Sequence, residues 1–439
     1  MKKIITLLLA VISIETLFAE KVQIGDLYYF LDTIHQRATV ISLTDTISHY
    51  KFTPNTTIHI PDSVSYNHIT YSVTFIGWSA FFNCKDLSAI TLPDSLQQIS
   101  PFAFVGCTGL TSIKIPNSVK EIGEGAFAGC TGLTSVEIIN KVNEIGGRLF
   151  AGCTGLTSVT IGDSVTNIDG DSFDGCTGLT SPVYNAHKFI YLPRFYTGDY
   201  TIPDGIESIA NCAFEDCTGL TSIKIPNSVT DIGWLAFKGC TGLTSIEFPN
   251  SVRSIDFRAF EGCTGLSSIT LPNSVTGIGD HAFEDCTNLT SIDISDSLIY
   301  IAEGAFIGFP RSRFPIYSKR VFAHMPVIYS GDYTIPDGIE SIANYAFSYC
   351  TDLSSITIPK SVTSIGEYAF EGCTGLRSMT CLALTPPIIN SDLFHNVDCS
   401  DITLYVPAKS VQAYKDEEQW NIFKEILPTS KFKMRRKAK

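Results

Sequence analysis

The chain contains no apolar run beyond its first residues that approaches the roughly 20 residues a membrane helix needs, which excludes a helical membrane protein on pattern alone. Positive charge is also short. Lys and Arg number 31 against 44 Asp and Glu, for a formal net charge of -13, and a surface of that sign repels phosphate backbones, so nucleic acid is not an expected partner. The familiar catalytic spacings are missing as well. There is no H-E-x-x-H, no G-x-S-x-G, no P-loop and no Rossmann fingerprint. The eight His are scattered, and no CxxC or Cys/His cluster has the spacing of a metal site. These gaps predict a chain that is not an enzyme and carries no catalytic residues, cofactor or metal.

What is present begins with an export signature. Lys2 and Lys3 precede the apolar run Ile4 to Ile14, and Leu17-Phe18-Ala19 ends on a small residue, so residues 1–19 are read as a signal peptide cut after Ala19. The expected location is therefore secreted or at the cell surface. No Cys stands where a lipoprotein signal would need one, and no hydrophobic anchor closes the sequence. The last residues, KFKMRRKAK at 431–439, are strongly basic and are read as a solvated tail within 429–439.

A 23-residue period governs the middle of the chain. Cysteines recur at Cys84, Cys107, Cys130, Cys153 and Cys176, then at Cys217, Cys240, Cys263 and Cys286, and again at Cys350 and Cys373. Within one period, Leu110, Ile113 and Ile115 follow the L-x-x-L-x-L spacing of a short strand with its apolar side inward. Pro116-Asn117-Ser118 ends that strand and turns the chain, because Pro removes a ladder donor and Asn tolerates turn geometry. Val119 and Ile122 return to the core. Gly123 to Cys130 then places Ala126, Phe127 and Cys130 at a spacing that predicts a short helical or 3₁₀ turn. One such unit buries too little to offset the entropy of ordering it, so stacking on neighbours is obligatory. The pattern predicts a leucine-rich-repeat solenoid of about twelve strand-plus-turn coils, with Phe309 standing in the cysteine slot of the tenth.

Two intervals in the cysteine column carry insertions, near 182–199 and 315–332, and they are copies of one another. Gly198 to Asn211 recurs unchanged at Gly331 to Asn344. Their shared skeleton, with Pro182/Pro315, Tyr184/Tyr317 and Phe189/Phe322, suggests extra strands or a hairpin projecting from the solenoid. The expected organisation is a β-rich amino-terminal cap at 20–75, the solenoid at 76–380, and a carboxy-terminal cap at 381–428. That last cap comprises a strand at Ile402–Pro407 and a helix at Ser410–Ile426.

The unit A-F-x-x-C-T-G-L-T-S-I-x-I-P-N-S-V-x-x-I resembles the BspA-like bacterial leucine-rich repeats over most of residues 60–428. An opening stretch, Tyr71 to Gly77, and a closing stretch, Leu404-Tyr405-Val406-Pro407-Ala408, fit as well. The resemblance implies a secreted or surface-displayed protein that binds host or bacterial surface proteins, in the manner of an adhesin. The alternative is a passive structural protein of the envelope or matrix, with a hydrolase third.

Eleven of the fourteen Cys belong to the column and are expected to be buried free thiols, since side chains on successive coils point the same way and an odd set cannot pair completely. Cys212 could approach Cys217, and Cys381 could approach Cys399. Asp169-Gly170-Asp171-Ser172-Phe173-Asp174 mimics the start of a calcium loop, yet no Glu closes it and Phe173 occupies a core position, so it is read as a polar coil edge. The outward mid-strand column, from Thr91, Lys114, Glu137 and Thr160 through Lys224, Glu247, Thr270 and Asp293 to Thr357 and Thr380, lacks aromatic residues and is read as a solvated face. Candidate partner-binding residues are His187, Tyr191, Arg320 and His324, where the two insertions diverge and shared packing should not need them.

Overall fold

The computed structural model describes residues 19–42, 50, 52–138, 142, 144–302, 304–308, 315–389 and 392–430, so residues 1–18 of the signal peptide, Phe309 and the basic run 431–439 lie outside the described residues. The chain divides into two compact units, residues 1–193 with 210–213, and residues 194–209 with 214–439.

In the first unit, three antiparallel strands, Ala19–Ile24, Leu27–Asp32 and Arg37–Ile41, form the expected β-rich cap. Arg37–Ile41 then pairs parallel with Ile69–Ile76, which starts a ladder of two-residue strands at Gln98–Ile99, Glu121–Ile122 and Glu144–Ile145. A second parallel ladder runs through Thr56–His59, Leu87–Thr91, Ser112–Lys114, Ser135–Ile138 and Ser158–Ile161. Stacking thus begins before the expected boundary at residue 76. Each coil behaves as its side chains dictate. Leu110, Ile113 and Ile115 are buried while Ser112 and Lys114 face solvent, and the Val119 N–H closes the Pro116 turn at 3.1 Å.

The stretch predicted as a helical turn takes another form. From Gly123 to Cys130 the amides alternate. Ala126, Ala128 and Cys130 donate within the coil to Gly123, Gly125 and Phe127, whereas Gly125, Phe127 and Gly129 donate to Gly147, Leu149 and Ala151 of the next coil. Gly125 and Gly129 hold φ of 57° and 69°, left-handed values that interrupt any helix and turn alternate amides outward. These six donors are all satisfied, half of them only by a neighbour. The coil carrying Gly170–Phe173 does form one 3₁₀ turn.

The core is a column of rings and thiols. Phe81, Phe104, Phe127, Phe150 and Phe173 stack at centroid separations of 5.1, 5.2, 5.8 and 5.9 Å. Beside them, the thiols of Cys107, Cys130, Cys153 and Cys176 donate to the carbonyls of Phe81, Phe104, Phe127 and Phe150 at 3.1 to 3.2 Å. All fourteen cysteines are free, so neither Cys212 with Cys217 nor Cys381 with Cys399 is bonded. Burial pushes the thiols of Cys153 and Cys176 up to about 12.

The second unit repeats this plan. Phe214, Phe237, Phe260, Phe283 and Phe306 form one ring column, and Phe322, Phe347, Phe370 and Phe394 another. The second insertion does not project. Ile316–Tyr317 and Val321–His324 make a hairpin whose second strand pairs with Ser341–Ile342, while Gly331–Thr334 pairs with Leu353–Ile358, so the insertion is an extra coil. The first insertion has the same hairpin, Val183–Tyr184 with Lys188–Tyr191. Counted over the described residues of the two units, the coils come to about fifteen turns. At the carboxy-terminal end, the helix spans only Val411–Asp416, not the expected 410–426, and Glu425–Pro428 adds a strand alongside Thr403–Val406. A continued helix would leave that strand edge unpaired, whereas the turn at Trp420 closes the cap by donating Nε1 to the Pro387 carbonyl at 3.0 Å.

Candidate functional site

The outward mid-strand column is polar where it is exposed. Lys114 lies opposite Glu137, and Lys224 opposite Glu247, so opposite charges face one another across the ladder and partly neutralise it. Thr380 leaves the column because it is buried opposite Tyr405.

The four divergent insertion residues separate into two kinds. His187 is exposed beside the hairpin tip, its amide donating to Asn185 Oδ1 at 3.0 Å. Arg320 is exposed and holds Glu340 through both Nε and Nη2, at 3.0 and 2.6 Å, and that carboxylate raises the guanidinium pKa. Tyr191 and His324, by contrast, are buried at 3% and 7% exposure. Their rings end Phe columns, Tyr191 at 5.5 Å from Phe173 and His324 at 6.5 Å from Phe306. The expectation failed there because packing requires a flat ring at that place, not one particular residue.

The calcium-like stretch is occupied by protein contacts. Asp169 accepts from Asn211 Nδ2 at 3.1 Å and lies 3.7 Å from Lys188 Nζ. Burial, followed by the nearby Asp169 and Asp174 charges, raises the Asp171 carboxyl. Among the described residues no group of three His, Cys, Asp or Glu could hold a metal ion, and no helix is long and apolar enough to cross a membrane.

Sequence reasoning missed the turn side of the coils. Trp78 is 58% exposed and meets Phe102 edge-to-face at 6.5 Å; Trp234 is 57% exposed and meets Phe257 likewise at 6.5 Å. The Arg258 guanidinium sits 5.2 Å from the Phe257 ring centroid. Further on, Tyr345 stacks on Tyr368 at 5.1 Å. Trp78 and Trp234 directly follow Ile-Gly, in a slot that carries Glu124 or Asp280 elsewhere. An indole in a slot that elsewhere holds small or polar residues such as Gly147, Asn211, Glu124 and Asp280 was the available signal.

The family model of the BspA type leucine rich repeat region matches residues 47–180, 195–310 and 319–426 in six copies. No curated protein matches the chain. Among solved structures it is similar to a leucine-rich repeat protein of Bacteroides ovatus at 27% identity, over 82% of this chain and 94% of that one, with a TM-score of 0.43. It is also similar to the pneumococcal vaccine antigen PcpA at 16% identity, over 93% and 98% of the two chains, with a TM-score of 0.43. A leucine rich cell surface protein of Faecalibacterium prausnitzii matches at 23% identity, over 93% and 95%, with a TM-score of 0.30. The repeated strand, the turn and the ring-and-thiol column thus have a common source: the chain belongs to the BspA-type leucine-rich-repeat family.

Proposed function

We propose that this chain is an exported protein-binding module of adhesin type, acting outside the cell or on its surface against host or bacterial surface proteins. The export signature at residues 1–19 supports the location, and leucine-rich-repeat domains generally bind proteins. The observation that carries the reading is the exposure of Trp78 and Trp234, each with an aromatic neighbour on the next coil. Large rings left in water lower solubility without helping the scaffold, and Trp and Arg are the residues on which protein interfaces most often depend. His187 and Arg320 on the insertions are secondary contact candidates.

The test is binding of the mature chain to cells and to immobilised surface proteins. Trp78→Ala with Trp234→Ala is expected to weaken binding about tenfold or more at an unchanged melting temperature. His187→Ala with Arg320→Ala is expected to have a smaller effect. Full binding by the tryptophan double variant would remove both proposed contact points.

A further inference from the structure

Tyr345 and Tyr368 occupy the same place on two adjacent coils of the second unit. Both hold left-handed backbone, with φ of 57° and 53°, a conformation that a bulky residue keeps only where its surroundings enforce it. Three amide bonds between the coils do so: Tyr345 donates to the Glu367 carbonyl at 3.0 Å, Phe347 to Ala369 at 2.7 Å and Tyr349 to Glu371 at 2.7 Å. The two phenol rings are thereby stacked at 5.1 Å with 10° between their planes, and both are half-buried, so small solutes reach them. Other tyrosine pairs in this unit are arranged differently. Tyr196 meets Tyr200 at 88° and Tyr329 meets Tyr333 at 80°, so an edge faces a ring in each. Tyr349 is exposed, but the matching place on the next coil is Gly372, and its hydroxyl donates to Glu371 Oε1 at 3.0 Å.

On these two coils the thiols are out of reach of an oxidant. Cys350 and Cys373 are fully buried, and burial pushes both thiols well up, Cys350 to about 12, so neither supplies the thiolate that peroxides attack. The half-buried phenols remain accessible. Tyr368 also has a place to send its proton, because its hydroxyl donates to the Asp392 carboxylate, whose charge raises the phenol pKa.

We propose that Tyr345 and Tyr368 form an oxidative cross-linking site, at which a peroxide acting through a one-electron oxidant joins the two coils by a dityrosine bridge. Each phenol loses one electron and its hydroxyl proton, that of Tyr368 to Asp392 and that of Tyr345 to solvent. The two phenoxyl radicals couple by one new carbon-carbon bond between ring positions next to the oxygens. Each coupled carbon then releases its hydrogen, which returns to a phenol oxygen as the rings regain aromaticity. The net change is two hydrogen atoms removed and one peroxide reduced to two waters. The bridge closes a loop of one period and constrains the unfolded chain as a disulfide would, in a chain whose fourteen cysteines are all free. It stands apart from the protein-binding reading.

The experiment treats the full mature chain, dilute, with a peroxidase and hydrogen peroxide, and follows dityrosine fluorescence, gel mobility and the masses of proteolytic peptides. The first product is expected to be a monomer in which the Tyr345 and Tyr368 peptides are joined and lighter by two hydrogen atoms. Tyr345→Phe and Tyr368→Phe, which keep the ring and remove the hydroxyl, are each expected to lose that joined peptide and most of the early fluorescence, whereas Tyr349→Phe keeps both. Bridges that join other tyrosines first, a product made only of linked dimers, no dityrosine at all, or undiminished early fluorescence in Tyr345→Phe at an unchanged melting temperature would overturn the assignment.

Discussion

His324 shows how one residue can record both the packing and the pH response of its coil. It is buried at 7% exposure with its ring against Phe306, and desolvation alone lowers its pKa from an ordinary 6.5 to about 4. In the unfolded chain the same imidazole takes a proton near 6.5, so as pH falls below that value the unfolded state binds the proton first and folding loses stability. The loss accumulates until about pH 4 and then levels off. Its ceiling is about 3 kcal/mol, from a shift of roughly 2.5 units at 1.36 kcal/mol each. Urea melts at pH 7 and pH 4.5 are expected to show this drop in the parent chain and a smaller one in His324→Phe; an equal drop in both would mean that other groups carry it. The same residue marks a limit of sequence reasoning. Divergence between Tyr191 and His324 suggested freedom from packing, but the two share planarity, and a comparison of letters does not register a shared shape.

At the scale of the element, the coil is held by contacts that its own sequence names and only its neighbours complete. Phe127 is fully buried between Phe104 at 5.2 Å and Phe150 at 5.8 Å, and its carbonyl accepts the Cys153 thiol. Phe127→Ala is expected to cost about 3–5 kcal/mol, measured as the shift of the urea midpoint, because the column is stacked on both sides and cannot close the hole by a rotamer change. A cost near 1 kcal/mol would show that the column relaxes. The strand half of the coil was legible from Leu110, Ile113 and Ile115, whose spacing matches a pleat. The turn half was misread as helical because Ala126, Phe127 and Cys130 also fit that period; the left-handed residues Gly125 and Gly129 decided otherwise. The helix expected at 410–426 failed for a related reason. Trp420 and Phe423 do face the core, but the open edge of Thr403–Val406 gave Glu425–Pro428 a better set of hydrogen-bond partners than a helix could.

At the scale of the whole molecule, stability follows from the phase of the repeat more than from any one coil. Ser222–Lys224 pairs with Ser245–Glu247 residue for residue at a spacing of one period, and Ser268–Thr270 pairs with Ser291–Asp293 in the same way. Removing residues 239–261, one full period, leaves every inward position facing inward. That deletion is expected to give a folded protein with a cooperative melt and a modestly lower midpoint, because nearest-neighbour stacking is re-formed across the join. Removing only 239–249 puts the ladders out of phase, and aggregation or loss of the cooperative transition is expected on calorimetry. Equal tolerance of both deletions would contradict the stacking account. The period itself, the inward residues, the buried thiols and the presence of caps were all determined by the sequence, because side-chain direction along a strand and the insufficiency of a lone coil are local facts. Only the tertiary structure decided that the second insertion is a coil, that Tyr191 and His324 lie inside while His187 and Arg320 lie outside, and that Trp78 and Trp234 remain in solvent. The physical reason is that direction is set within a coil, whereas burial is set by whatever stacks against it.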